Sequence, residues 1–283
     1  MDISIITPSY NMLPFLKSCS ASIADQEGVS FEHIIIDGGS TDGTVDWLRQ
    51  QNTIRWISEK DNGMYDAINK GFNMASGDYV AYLNCDEQYL VGTLKRIKEY
   101  FVQHPDIGAV YGDALITDPK GNVLSFRKSY KLLPIFIKTS HLYVLTCTLF
   151  LRRKVIDEGF RFDPQLKVWG DADFVLRLLE RGHRFDHINE YLSIFTWTGK
   201  NMSTGENAMK EEQYFAKRIP VWLRWLKLAI KLLRLVLKLS SGAYITKKPL
   251  CYQLYISGDQ HNRTLFSQEN ASFKWPATEE TTE

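Results

Sequence analysis

Within its first 90 residues the chain alternates short apolar runs with stretches of helical spacing, and this limits the folds open to it more than any other feature. Runs at 1–7, 31–37, 54–58 and 80–83 have the length and the β-branched or aromatic content of strands, while segments near 13–25, 45–51 and 64–75 carry apolar residues at helical spacing. Turn formers separate them: Pro8-Ser9-Tyr10-Asn11, then Gly38-Gly39-Ser40-Thr41-Asp42-Gly43-Thr44, then Glu59-Lys60-Asp61-Asn62-Gly63. Strand, helix, strand repeated in this way predicts an α/β fold with a mostly parallel, doubly wound, Rossmann-like sheet flanked by helices.

In such a sheet the carboxyl ends of the strands gather on one edge, where ligands bind. Asp37 ends the second strand as an acceptor for a base or ribose, and Gly38 and Gly39 let the backbone approach a ligand or take positive φ. No G-x-x-x-x-G-K-[ST] is present and no G-x-G-x-x-G follows the first strand, so neither an ATPase-type phosphate loop nor a dinucleotide site is supported. The fourth strand stops on Asn84-Cys85-Asp86-Glu87. Carboxylates at that exit suit Mg²⁺ or Mn²⁺ carrying a diphosphate; an acidic turn accounts for the same residues.

With 34 Lys and Arg against 33 Asp and Glu, the net charge of +1 gives no global attraction to nucleic acid. Cys19, Cys85, Cys147 and Cys251 are scattered without metal-ligand spacing, which argues against a disulfide framework or zinc site and for a reducing cytoplasm. The chain enters its first strand directly, so no signal peptide is expected.

Further strands are expected at 109–116, 123–126 and 145–152, with a turn at Lys120-Gly121-Asn122. Asp113 is either a ligand contact or a structural acid within its strand. His141 stands alone and reads as a packed or surface residue. Apolar residues at 174, 175, 178 and 179 set Asp171 at a helix N-terminus and Asp173 in its first turn, where capping alone would explain both. Lys200 follows a strand end and fits a diphosphate contact or an ordinary surface position.

Basic residues at 224, 227, 231, 234 and 238 recur at spacings of three and four, making one cationic stripe on a helix over 221–239. The rest of that helix is apolar and bears Trp222 and Trp225. Five charges oppose a spanning segment, so the expectation is a helix lying on a membrane surface, with packing on the domain or on a second copy as the alternative. A last strand is expected at 250–256, and the polar stretch from Ser267 to Glu283 reads as a disordered tail.

The motifs Ile5-Ile6-Thr7-Pro8-Ser9-Tyr10-Asn11, Asp37-Gly38-Gly39-Ser40-Thr41-Asp42-Gly43-Thr44, Asp61-Asn62-Gly63-Met64-Tyr65-Asp66-Ala67-Ile68-Asn69-Lys70-Gly71 and Asn84-Cys85-Asp86 together resemble the family-2 glycosyltransferases of GT-A fold. The similarity is strong over 90 residues and weaker to about residue 203. It implies a nucleotide-sugar donor, a UDP-sugar first, a divalent metal, and inversion at the anomeric carbon. By this resemblance Pro8, Tyr10, Asn11, Asp37 and Gly39 line the nucleoside side, with Asp61 and Lys70 beside the nucleotide. Asn84 and Cys85 stand in the family's D-x-D position, with Asp86 as metal ligand and Glu87 in reserve. Asp113 and Lys200 complete the donor set, and Asp171 is the base, with Asp173 in reserve.

The implied organisation is a catalytic domain over 1–205, divided into a nucleotide-sugar half (1–100) and an acceptor half (101–205). A helical extension over 206–266 and the tail from 267 follow. The expected activity is sugar transfer to a glycan or lipid-linked acceptor in surface polysaccharide synthesis, at the cytoplasmic membrane face. A silent nucleotide-sugar-binding protein and a sugar-phosphate nucleotidyltransferase are the alternatives.

Overall fold

The computed structural model of the chain describes residues 1–199, 206–217, 219–256 and 261–276. Its first part is β1 (Ile3–Ser9), α1 (Leu13–Ala24), β2 (Phe31–Asp37), α2 (Thr44–Leu48), β3 (Ile54–Ser58), α3 (Met64–Met74) and β4 (Tyr79–Tyr82), matching the expected alternation. Side chains alternate across β1, so Ile3 and Ile5 pack with Cys19 and Ile23 of α1, while Ile6 packs with Ala67, Ile68 and Phe72 of α3. Burying each isoleucine contributes roughly 1.5–3 kcal/mol. The sheet is thereby covered on both faces, as a parallel sheet requires.

The chain continues through β5 (Glu87–Tyr89), α4 (Thr93–Gln103), β6 (Ala109–Thr117), β7 (Val123–Arg127), α5 (Pro134–Thr139), β8 (Phe150–Arg152), α6 (Arg153–Asp157), α7 (Gly170–Glu180) and β9 (Phe185–Thr196). Helix α4, additional to the expected elements, buries Leu94, Ile97 and Phe101 along one face. The strand order is β3-β2-β1-β4-β8-β6-β9-β5, with β7 beside β6. Strands β1 to β4 are parallel neighbours; β8 runs antiparallel between β4 and β6, and β6 and β9 are parallel again.

The strand expected over 145–152 begins instead as a 3-10 turn, Thr146–Thr148. Thr148 donates its hydroxyl to the Leu145 carbonyl at 2.7 Å, and Ser193 donates to the Cys147 carbonyl at 2.6 Å, so side chains satisfy groups that a strand would have paired.

Beyond β9 lie α8 (Glu206–Lys217), α9 (Val221–Trp225), α10 (Lys227–Ser240), β10 (Leu250–Leu254) and β11 (Thr264–Gln268). The single helix expected over 221–239 is thus two, meeting at Leu226. The stretch expected to be a disordered tail begins inside β11, and its aromatic residues give it a place to pack. Phe273 meets the Tyr244 ring at 5.0 Å, Trp275 meets Trp197 at 5.6 Å, and the Phe126 N–H donates to the Ser272 carbonyl at 2.8 Å. Residues 277–283 of the same stretch lie outside the described residues.

Candidate active site

The ends of β1, β2 and β3 form one edge. Asp37 is buried there, and its carboxylate accepts from the Gly39 N–H (3.1 Å), the Ser40 N–H (2.9 Å) and the Ser58 hydroxyl (2.6 Å), and from the Ser40 hydroxyl as well. The acid expected to read a nucleoside is committed to shaping the loop after β2. Asn11 has a similar place: at φ 51° it donates its N–H to Ser40 Oγ at 2.8 Å and accepts the Thr41 N–H at 2.8 Å, tying the first loop to the second. Pro8 is buried in β1 opposite Ile36, and Gly39 takes φ 85°.

Exposed Tyr10 and half-buried Asp61 flank Gly38. A Cβ at position 38 would lie 2.9 Å from Asp61 Oδ2 and 3.3 Å from the Tyr10 ring, so the Asp61 carboxylate fills the room a side chain there would need. Asp61 also accepts the Gly63 N–H at 2.8 Å, which fixes its loop. Lys70 is paired with Glu59 at 2.7 Å and, more distantly, with Asp66 at 3.8 Å.

At the exit of β4 the residues divide. Cys85 points into the core, its Sγ 3.8 Å from Met12 Sδ, and takes no part in the edge. Glu87 is buried and accepts the Asn84 N–H at 2.8 Å. Burial, and then the neighbouring Asp86 charge, raises the Glu87 carboxyl well above its usual range; burial pushes Asp86 up to about 6. Asn84 Oδ1 is buried with no protein donor among the described residues. Among the same residues no three His, Cys, Asp or Glu side chains form a metal cage. Asp86, an unpartnered amide oxygen and an adjacent second carboxylate nevertheless fit a Mg²⁺ or Mn²⁺ ion that takes its other ligands from diphosphate and water. A cation would also relieve the repulsion between the adjacent carboxylates of half-buried Asp86 and buried Glu87.

Asp171 opens α7 across the cleft. The Tyr82 hydroxyl donates to its Oδ1, Thr146 donates to Oδ2 at 3.4 Å, and its own N–H donates to Tyr65 Oη at 3.2 Å. Burial raises its carboxyl to about 6, with the Tyr82 and Thr146 hydroxyls pulling downward. Gly170 precedes it because a Cβ there would lie 2.4 Å from the Tyr65 ring. Asp173, the reserve base, instead pairs with Arg177 at 2.7 Å one turn along α7.

Asn84, Glu87 and Asp171 border one cavity of about 850 Å³, whose far wall is made by α8 and α10 with Trp275. Asp113 is not part of it. That residue is buried, accepting from the Ser129 N–H and pairing with His187, both at 2.8 Å. Lys200 lies outside the described residues. Several residues of the site were not anticipated. Tyr82 and Thr146 hold Asp171, and Glu211 of α8 accepts the N–H groups of Lys167, Val168 and Trp169 at 2.6, 3.0 and 2.8 Å. Only the fold brings these partners together; nothing in local spacing marks them.

The fold and the acidic edge define a GT-A transferase architecture. The family model described as Glycosyl transferase family 2 matches residues 4–160, and the chain belongs to that family. A PGL/p-HBAD biosynthesis glycosyltransferase of Mycobacterium bovis is 26% identical over 259 residues, covering 88% of this chain and 96% of the relative. The putative teichuronic acid biosynthesis glycosyltransferase TuaG of Bacillus subtilis is 25% identical over 221 residues, or 76% of this chain and 87% of TuaG. The crystal structure of S. aureus TarS 1-349 in complex with UDP-GlcNAc aligns with TM-score 0.64 at 16% identity, over 96% of this chain and all of that one. The mannosyltransferase PcManGT from Pyrobaculum calidifontis, in complex with GDP-Man and Mn²⁺, aligns at 0.52 and 20% identity over 71% of this chain and 57% of that one.

Proposed function

We propose that the protein is an inverting glycosyltransferase that moves a sugar from a nucleoside diphosphate sugar to a hydroxyl of a glycan or lipid-linked acceptor, in the building of a surface polysaccharide. The observation that carries this reading is the position of Asp171, a carboxylate held by two hydroxyls, on the same cavity as Asn84 and Glu87. The nucleotide-sugar complexes of TarS and PcManGT and the pathway named for TuaG support the donor and the setting.

A sugar hydroxyl is a weak nucleophile. In the proposed reaction the Asp171 carboxylate accepts its proton while the oxygen attacks the anomeric carbon and the bond to the diphosphate oxygen breaks, which inverts the configuration. Asp86, with Asn84 Oδ1 and Glu87 beside it, would hold Mg²⁺ or Mn²⁺, whose charge offsets that of the departing diphosphate. Tyr10 and Asp61 border the space for the nucleoside, and Asp37 and Asn11 keep the loops around it in place.

Attachment at the inner membrane face through α9 and α10 belongs to the same proposal. Among the described residues no helix is long and apolar enough to cross a membrane, while Trp222, Trp225, Leu228 and Leu232 are more than half exposed. The test of activity is nucleoside diphosphate release from UDP-, GDP- and dTDP-sugars with Mg²⁺ or Mn²⁺. Release that is lost in Asp86→Ala and Asp171→Asn is expected, and no release from any donor would sink the enzyme reading.

A further inference from the structure

The second half of the basic stripe of α10, Arg234 and Lys238, turns toward the body of the protein. Arg234 donates to Tyr130 Oη at 2.6 Å and to Ser140 Oγ at 3.0 Å and lies over the Tyr143 ring at 5.0 Å; Lys238 lies 5.7 Å over the rings of Tyr130 and of Tyr244. Arg127 comes to the same place from β7, stacked 5.3 Å over Trp275. Together with Lys231 and His141 these cations border a second cavity of about 690 Å³, and no carboxylate is among its described lining residues. Arg234, Lys231 and His141 also border the larger cavity that reaches Asp171.

Like charges gathered without a counter-charge repel one another, and the repulsion is visible. Burial, then Arg234 and Arg127, lowers the Lys238 ammonium from its ordinary value, and burial with the same two guanidinium groups and Lys238 holds the His141 imidazole down at about 4. Tyrosines orient these cations without neutralising them, and an arrangement of that kind is favourable when an anion completes it. Leu235 lines the same cavity and is 45% exposed, so the cavity opens onto the apolar outer face of α10.

We infer that this cavity is an acceptor subsite, in which Arg127, Lys231, Arg234 and Lys238 bind a phosphate or diphosphate joining the acceptor sugar to a lipid chain. The inference deepens the transferase reading and rests on it. The phosphate is held in the second cavity, the sugar extends through the shared wall toward Asp171, and the chain leaves past Leu235. Binding recognises the anion, so a soluble phosphorylated glycan presents the same chemistry, and the test separates the two sources.

The experiment is a calorimetric titration of the full chain, in EDTA, with farnesyl diphosphate, inorganic pyrophosphate and farnesol. Farnesyl diphosphate is expected to bind and farnesol not to. Lys231 is exposed with no partner among the described residues, so Lys231→Glu will leave the fold intact and weaken binding about tenfold or more; Lys238→Gln will act in the same direction. Pyrophosphate binding as tightly as farnesyl diphosphate, and sensitive to Lys231→Glu, supports the subsite and assigns it to a soluble phosphorylated acceptor. No binding, or equal binding by wild type and both variants, overturns it. Nucleoside diphosphate release from donor sugars, measured on the same protein preparations after exchange from EDTA into Mg²⁺ or Mn²⁺, separates the two failures. Release without farnesyl diphosphate binding sinks the subsite alone, and binding through Lys231 without release sinks the transferase reading and the acceptor role with it, leaving an anion-binding cavity.

Discussion

As the proposed base, Asp171 sits between two opposed demands. A base must be ionised at working pH yet retain affinity for a proton, and a carboxyl raised to about 6 by burial meets both near neutrality. Because the ionised form is the active one, the rate is expected to rise with pH through about 6 and level off above it. The Tyr82 hydroxyl donates to the charged form and so lowers this value. Tyr82→Phe should therefore move the acid limb of the kcat/KM profile to higher pH, with activity recovering by about pH 8, whereas Asp171→Asn should lose about 10²- to 10⁴-fold at every pH. An unmoved limb in Tyr82→Phe would show that Asp171 is not the group reported. The acids themselves were legible, since Asp171 opens a helical pattern and Asp86 ends an apolar run. Their partners were not: Tyr82 looks like one more aromatic residue of a buried strand, and its bond to Asp171 joins residues 89 apart in sequence. The surroundings of Asp37 and Asp113 were not legible either. An acid at a strand end or within a strand gives no sign of whether backbone N–H groups and a histidine will claim it, as they do here.

At the scale of elements, α8 is the less obvious support of the site. Its Glu211 accepts three successive N–H groups of the segment leading into α7, and Phe215 stacks on Trp169 with ring centres 5.3 Å apart. The N-terminus of α7, and with it Asp171, is thus held from a helix that sequence pattern alone places in an extension outside the catalytic domain. Glu211→Ala should lower kcat on the order of 10- to 100-fold, since an ångström of misplacement is costly at a reacting centre, while stability falls by about 1–3 kcal/mol. The check is turnover set beside thermal unfolding. Lost stability with unchanged kcat would make the contact structural only. The first four strands were readable because period-2 and period-3.6 patterns with sharp turn formers determine them locally. The antiparallel insertion of β8, the 3-10 turn before it and the docking of residues 271–276 depend on hydroxyl bonds and ring contacts made across the fold, which local pattern does not encode.

For the whole molecule, the orientation of α9 and α10 decides what kind of surface they offer. On sequence alone the cationic stripe and the apolar face together point to a membrane surface, but Arg234 and Lys238 turn toward the body and Lys231 borders the clefts. What faces outward is Trp225 at 85% exposure, Leu228 at 72% and Leu239 at 61%, with Leu223 and Ile230 buried beneath. A continuous apolar face of this kind is costly in water and is favoured against lipid or a second copy. Membrane binding should then follow apolar burial more than charge. Flotation with neutral phosphatidylcholine vesicles is expected, stronger with anionic lipid added, and abolished by Trp225→Glu with Leu232→Glu. Arg224→Glu, which reverses an exposed charge and gives up a 3.5 Å bond to the Ala216 carbonyl, should weaken flotation modestly and mainly at low salt. Sedimentation in the absence of lipid distinguishes the alternative. Self-association that the same apolar substitutions abolish, in a protein that fails to float, would assign the face to a homodimer and remove the membrane from the proposal.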